Sequence, residues 1–200
     1  GFSKEETEYL LVDCMYLGIE NVMALRGDAM KGEQYFTPSN GGHENAMGLV
    51  NQMNDLGRGK YLHEESEISD FNKFCIGVAG YPEKHIEAPS MNYDLKWLKK
   101  KVDSGADYIV TQMFFDNNLL YNFLYKIREV GITVPVVAGI MPVTNGKQIK
   151  RICELSGTYL PQRFKSIVDR FGDNPPAMKQ AGVAYATEQI IDLLANGVKN

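Results

Sequence analysis

The residues of this sequence able to do chemistry fall just after apolar runs. NVMAL at 21–25 leads into Arg26-Gly27-Asp28, CIGVAG at 75–80 into Tyr81-Pro82-Glu83-Lys84-His85, and VPVVAGI at 134–140 into Pro142, Thr144 and Asn145. A guanidinium and a carboxylate two positions apart can pair with each other, cap a following helix, or stand at the rim of a pocket. As a cell-adhesion tripeptide the run is a poor fit, because it ends a strand in a chain with reduced thiols. Gln112 lies inside YIVTQMFF. A buried amide must find partners, and this one both donates and accepts, which suits an internal network with Thr111 or a heterocycle with mixed polar edges. Met113, Phe114 and Phe115 beside it read as core.

His85 and Glu87 are two apart, but a metal site needs further ligands at suitable spacing and none is evident, so no metal is expected. Hydrogen bonding to a cofactor or to loop backbone suits His85 better. Tyr81 can pack, or cover a flat ring. Lys99, Lys100 and Lys101 form a charge run whose default is a solvated helix face; one of them could reach a phosphate. There is no GxGxxG or Walker loop, and no Ser-His-Asp or Cys-His constellation.

The elements that must position these groups repeat a helix-glycine-strand phrase. Ser3 and Glu6 form a capping box, with Phe2 as its staple; the helix they open ends at Gly18, and a strand follows over 21–25. A helix over 95–103 precedes Gly105 and a strand over 107–113. Another over 119–130 precedes Gly131 and a strand over 134–140. Four short, continuously apolar strands predict a parallel sheet covered on both faces, joined by right-handed crossovers. The candidate groups then stand at carboxyl ends of parallel strands, where α/β folds bind ligands. Residues 31–73 read as a polar insertion with one helix near 44–53. Further helices are expected over 146–155, 161–171 and 176–195, the last opened by Asp173-Asn174-Pro175-Pro176.

The chain has 200 residues, 44% hydrophobic and 23% charged, with a net charge of −4. One domain over 1–200 is expected. Mixed charges give no nucleic-acid footprint, and no run is long and apolar enough to span a bilayer. Three cysteines without metal spacing, Cys14, Cys75 and Cys153, suit reduced thiols and a cytoplasmic protein.

ALRGD, AGYPEKHIEA, the helix carrying Asp94 into KKKVDSGADYIVTQMFFD, and GIMPV resemble, in order and over most of the chain, the bacterial flavin-dependent methylenetetrahydrofolate reductases. The resemblance implies a (β/α)8 TIM barrel. It implies that reduced nicotinamide, NADH or NADPH, reduces FAD, which delivers hydride to 5,10-methylenetetrahydrofolate to give 5-methyltetrahydrofolate for methionine synthesis. It assigns FAD contacts to Arg26, Gly27, Asp28, Ala46, Tyr81, His85, Ala88, Asp94, Lys100 and Lys101. Folate contacts fall to Asp28, Tyr81, Gln112 and Gln148, and Asp28 is the catalytic carboxylate. A homo-oligomer is expected. A folate-stacking aromatic of the family falls at Ile152, so that contact is aliphatic here.

The four strands resemble the fourth to seventh of such a barrel. A family glutamate that ends the first strand, and supplies a proton, has no counterpart in the chain. The sequence is therefore expected to be a fragment, inactive by itself. Two other classes remain: a non-catalytic flavin- or folate-binding homologue, and an aldolase-type barrel. The second needs a Schiff-base lysine within a strand, and none of the four strands has one.

Overall fold

The computed structural model describes residues 1–30, 32–33, 35–64 and 73–198. Seven helices and four strands occur among them, in the order α1 (Lys4–Tyr16), β1 (Asn21–Ala24), α2 (Ala46–Leu56), β2 (Cys75–Gly80), α3 (Met91–Asp103), β3 (Tyr108–Thr111), α4 (Asn117–Glu129), β4 (Val136–Val137), α5 (Gly146–Ser156), α6 (Gln162–Phe171) and α7 (Pro175–Ala195). The strands are hydrogen-bonded in the order β1-β2-β3-β4. β1 and β2 are parallel, with Asn21 opposite Cys75 and Ala24 opposite Val78. Asp107 N–H donates to the Ile76 carbonyl and Gln112 N–H to the Gly80 carbonyl, each at 2.8 Å. The bonds advance along both strands together, as in a parallel pair. The expected α/β class with a parallel sheet is what the chain forms.

Helix starts follow their signals. Ser3 Oγ accepts the Glu6 N–H while Glu6 accepts the Ser3 N–H, completing the capping box. Asn45, Asp116, Asn145 and Asn174 cap α2, α4, α5 and α7. α3 begins four residues earlier than expected and so includes Asp94 in its first turn. The helix inside the polar segment runs from Ala46 to Leu56, two residues later at its start than its sequence suggests. Residues 31, 34 and 65–72 of that segment lie outside the described residues, as do 199 and 200.

Two expectations about the strands need correction. The β1 run is not buried on both faces: Met23 is 36% and Leu25 54% exposed. Among the described residues β1 has one strand neighbour, so its apolar side chains are covered less than those of β2. The run 134–140 forms a strand only over Val136–Val137, and Val137 is itself exposed. Apolarity there reports partial burial rather than a long hydrogen-bonded ladder.

Two compact units are distinguished by their internal contacts, Gly1–Ala79 with Leu98–Ile109, and Gly80–Trp97 with Val110–Asn200. The first is built around Leu11, Val50, Met53, Leu56, Ile76 and Ile109, all buried. Its buried amide, Gln52, donates to the Lys4 carbonyl at 2.8 Å and meets His43 Nε2 at 2.5 Å. The second unit packs Met113, Phe115, Val143, Ile149, Phe164, Val168 and Met178 together. Phe115 and Phe164 stack with centroids 5.0 Å apart. As expected, Met113, Phe114 and Phe115 are core.

Candidate functional site

In the first unit, the turn after β1 presents Arg26, Gly27 and Asp28. Arg26 lies over the Phe36 ring at 5.2 Å from its centroid, a cation–π geometry. Phe36 also lies against Gly27, where a Cβ would come within 2.9 Å of the ring; the glycine is needed for that close approach. Asp28 is exposed. It is not the cap of α2, since Asn45 holds that role by accepting the Gly48 N–H at 3.1 Å. Ala46 is the first residue of α2, so it stands among the free N–H groups of a helix start. At the far end of α3, Lys99 pairs with Asp103, and Lys100 is exposed. Lys101 Nζ donates to the Ala79 carbonyl at 2.6 Å, which ties it to β2. The charge run is therefore three different environments rather than one solvated face.

In the second unit, residues 81–90 form a loop closed by hydrogen bonds and anchored to Asp94 in the first turn of α3. Lys84 adopts φ +85°, a left-handed conformation rare for a side chain of this size. Its ammonium donates to the Ala88 carbonyl at 2.8 Å and the His85 carbonyl at 3.3 Å. His85 N–H donates to Asp94 Oδ2 at 2.8 Å, and Ala88 N–H to the His85 carbonyl at 2.9 Å. The imidazole meets the edge of Tyr81, centroids 4.7 Å apart and rings at 87°. Its Nδ1 accepts the Glu87 N–H at 3.1 Å, so the neutral ring carries its proton on Nε2. His85 thus bonds loop backbone, one of the two roles its sequence suggests, and no metal-binding cluster occurs among the described residues.

Gln112 lies one residue beyond β3 and is half-buried. Its Oε1 accepts the Met113 N–H at 3.1 Å. Of the two alternatives the sequence leaves open for Gln112, the network with Thr111 is not among the described hydrogen bonds: Thr111 Oγ1 accepts the Gly139 N–H at 2.9 Å. With the amide oxygen turned to its own backbone, Gln112 keeps an NH2 group for another partner. A cavity of about 10 Å³, the size of one water molecule, is lined by Tyr81, Glu83, Lys84, Gln112, Ser156 and Thr158. Gln148 is exposed in the first turn of α5, its N–H directed to Asn145 Oδ1 at 3.3 Å. The structure thus brings Tyr81 and Gln112 to one cavity and joins His85 and Ala88 in one loop anchored on Asp94.

Sequence reasoning gave no role to Phe36 or Glu83. Phe36 sits in the polar segment with no periodic pattern around it. Glu83 Oε2 accepts the Tyr159 N–H at 2.8 Å, 76 positions away, a partner no local pattern announces. Burial pushes the Glu83 carboxyl above its ordinary value of 4.5; the Tyr159 N–H opposes this and the Asp116 charge adds to it. Burial of Cys153 itself, then the charge of Glu83, raises its thiol. All three cysteines are free and half-buried.

A family model, methylenetetrahydrofolate reductase, matches residues 2–200. The chain is 38% identical to methylenetetrahydrofolate reductase (NADH) 1 of Arabidopsis thaliana over 97% of its own length and 32% of the plant protein. It is 34% identical to 5,10-methylenetetrahydrofolate reductase of Escherichia coli K12, over 92% of its length and 55% of that protein. The chain thus spans about a third of its plant relatives and somewhat over half of its bacterial ones. Among solved structures, an uncharacterized protein from Clostridium thermocellum that binds two copies of 5-methyl-5,6,7,8-tetrahydrofolic acid covers 98% of this chain and 60% of its own, with a TM-score of 0.55 and 13% identity. That likeness concerns the fold.

Proposed function

The chain belongs to the methylenetetrahydrofolate reductase family, and from that membership we propose that the protein reduces 5,10-methylenetetrahydrofolate to 5-methyltetrahydrofolate at the expense of NADH or NADPH, with FAD as cofactor. The architecture proposed with it is the (β/α)8 barrel, in a cytoplasmic homo-oligomer serving one-carbon metabolism and methionine synthesis.

The donor chemistry of the residues fits FAD. Lys100 and Lys101 carry positive charge for a pyrophosphate, and the start of α2 at Ala46 offers free N–H groups. Arg26, Gly27 and Asp28 supply a turn stiffened by Phe36, and Tyr81, His85 and Ala88 belong to a loop whose geometry is fixed by its own hydrogen bonds and its anchor on Asp94. FAD, when bound, accepts hydride from the nicotinamide and passes it on. The residues bind, orient and set charge. The Asp28 carboxylate favours a cationic substrate and disfavours extra negative charge beside it. The free NH2 group of Gln112 offers a donor to an acceptor edge of the pterin, and Gln148 a second polar contact.

The observation that carries the reading is the loop after β2 with its anchor on Asp94, because a segment locked by five hydrogen bonds presents a pre-formed wall to a ligand. The experiment is anaerobic mixing of the complete, purified, flavin-loaded protein first with NADH or NADPH and then with 5,10-methylenetetrahydrofolate. Flavin bleaching, its return, and 5-methyltetrahydrofolate by mass spectrometry support the proposal. A protein that binds 5-methyltetrahydrofolate without flavin turnover is a binding homologue instead.

A further inference from the structure

Glu83 is given no ligand contact and makes none of the five hydrogen bonds in the reading above, yet its setting is unusual for a loop carboxylate. One oxygen, Oε2, holds the Tyr159 N–H at 2.8 Å. The other, Oε1, is sealed from solvent and accepts no hydrogen bond among the described residues. Burying an oxygen in that state is unfavourable, and a group kept this way calls for a specific reason.

The oxygen that is bonded, Oε2, holds the segment that follows α5. Gly157 closes that helix at φ +71°, in the left-handed region, and its α-carbon faces Ile86 of the 81–88 loop: a Cβ there would sit 3.4 Å from Ile86 Cγ1. Thr158 Oγ1 accepts from Ser156 Oγ at 2.8 Å and lies 3.5 Å from the Met113 carbonyl. Tyr159 then donates to Glu83. Three consecutive residues are fastened to the loop after β2 and to the end of β3. At its other end α5 is fixed by Gly146, where a Cβ would come within 2.6 Å of Gly172 Cα. A helix of 11 residues is a rod of about 16 Å, so seating both ends sets its position and its rotation. Gln148 and Ile152 lie four apart on that rod and share a face.

We propose that Glu83 is a positioning residue, which through the Tyr159 N–H seats α5 and so fixes where Gln148 meets the folate. The inference rests on the folate reading of Gln148 given above. Of the ties at this end of α5, the one to Glu83 joins a charged acceptor to backbone, the strongest kind present. Its loss releases the segment that follows α5 and with it the rotation of the helix about its own axis on the Gly146 contact, which is the motion that carries Gln148, while Phe164 and Val168 still pack against the helix.

The test uses the complete flavin-loaded protein, with 5-methyltetrahydrofolate affinity measured by calorimetry, flavin reduction by NAD(P)H measured by stopped flow, and melting temperature measured alongside. Glu83→Ala is expected to weaken folate binding about tenfold, as loss of a charged hydrogen bond does, with flavin reduction within about twofold of wild type. Glu83→Gln retains an acceptor of the same shape and restores affinity. In a Gln148→Ala background, Glu83→Ala adds less than about twofold, because its effect runs through Gln148. Independent, multiplying effects of the two substitutions overturn the proposal. So does a Glu83→Ala protein with a lowered melting temperature and unchanged folate affinity. If Gln148→Ala by itself leaves folate affinity intact, the folate reading of α5 fails, and the inference with it.

Discussion

The backbone N–H of His85 is held by the carboxylate of Asp94 at 2.8 Å. Asp94 sits in the first turn of α3, so the loop after β2 is anchored to the start of the next helix. A carboxylate accepting a backbone N–H makes a hydrogen bond about twice as strong as a neutral one. Asp94→Ala should let the loop shift and lower FAD retention about tenfold, while Asp94→Asn, which keeps an acceptor oxygen, should lose much less. Flavin content after gel filtration measures both. Equal losses in the two variants would mean that the charge of Asp94, rather than its hold on His85, matters.

Lys84 combines a strained backbone with a useful side chain. Its φ of +85° is unfavourable for any residue with a Cβ, by about 1–2 kcal/mol, and its ammonium closes the loop on the Ala88 and His85 carbonyls. Two substitutions separate these effects. Lys84→Met keeps the strain and loses the bonds; Lys84→Gly loses the bonds and relieves the strain. The glycine variant should therefore be the more stable of the two by about 1 kcal/mol in urea unfolding. Identical midpoints would mean that the loop relaxes to negative φ once the ammonium is gone.

What the sequence made legible was local. The capping box of Ser3 and Glu6, the Asn174-Pro175-Pro176 start of α7 and the six-residue β2 all rest on neighbours in the chain, and all formed. The exposure of Met23 and Leu25 and the brevity of β4 depend on what covers a strand, which apolar runs do not encode. The site divides the same way. His85 bonding to loop backbone was readable because Glu87 is two residues away. The turn of Gln112 Oε1 toward Met113 N–H, away from Thr111, was not, because both neighbours offered plausible partners and only the placement of Gly139 decided between them. Glu83 was invisible, since Tyr159 comes to it from the segment between α5 and α6, 76 positions along the chain.

Gln112→Leu tests the folate side. The substitution removes the amide NH2 and leaves the Met113 N–H without the oxygen that accepts it. Loss of one ligand hydrogen bond is worth about 0.5–1.5 kcal/mol, so 5-methyltetrahydrofolate should bind up to about tenfold more weakly, with NAD(P)H reduction of flavin unchanged. Calorimetry against the folate and stopped-flow flavin bleaching read the two separately. A large drop in melting temperature with folate affinity intact would assign Gln112 to the structure alone.

The stability of the protein should carry a pH signature from Glu83. Burial is the first cause of its raised pKa, ahead of the opposing Tyr159 N–H and the charge of Asp116. A folded-state value above the unfolded one means that the folded chain holds the proton more tightly, so in that range the native state binds more protons than the unfolded state. Stability from this group is then full below the ordinary carboxylate value of 4.5 and is lost as pH rises through the raised one. Glu83→Gln is neutral throughout and has no such term. The variant's melting temperature relative to wild type should therefore increase from pH 5 to pH 8, even though it keeps the tie to Tyr159. Scanning calorimetry of both proteins at the two pH values measures it. A difference that stays constant, or that shrinks as pH rises, would show that the carboxyl is not desolvated in the folded protein.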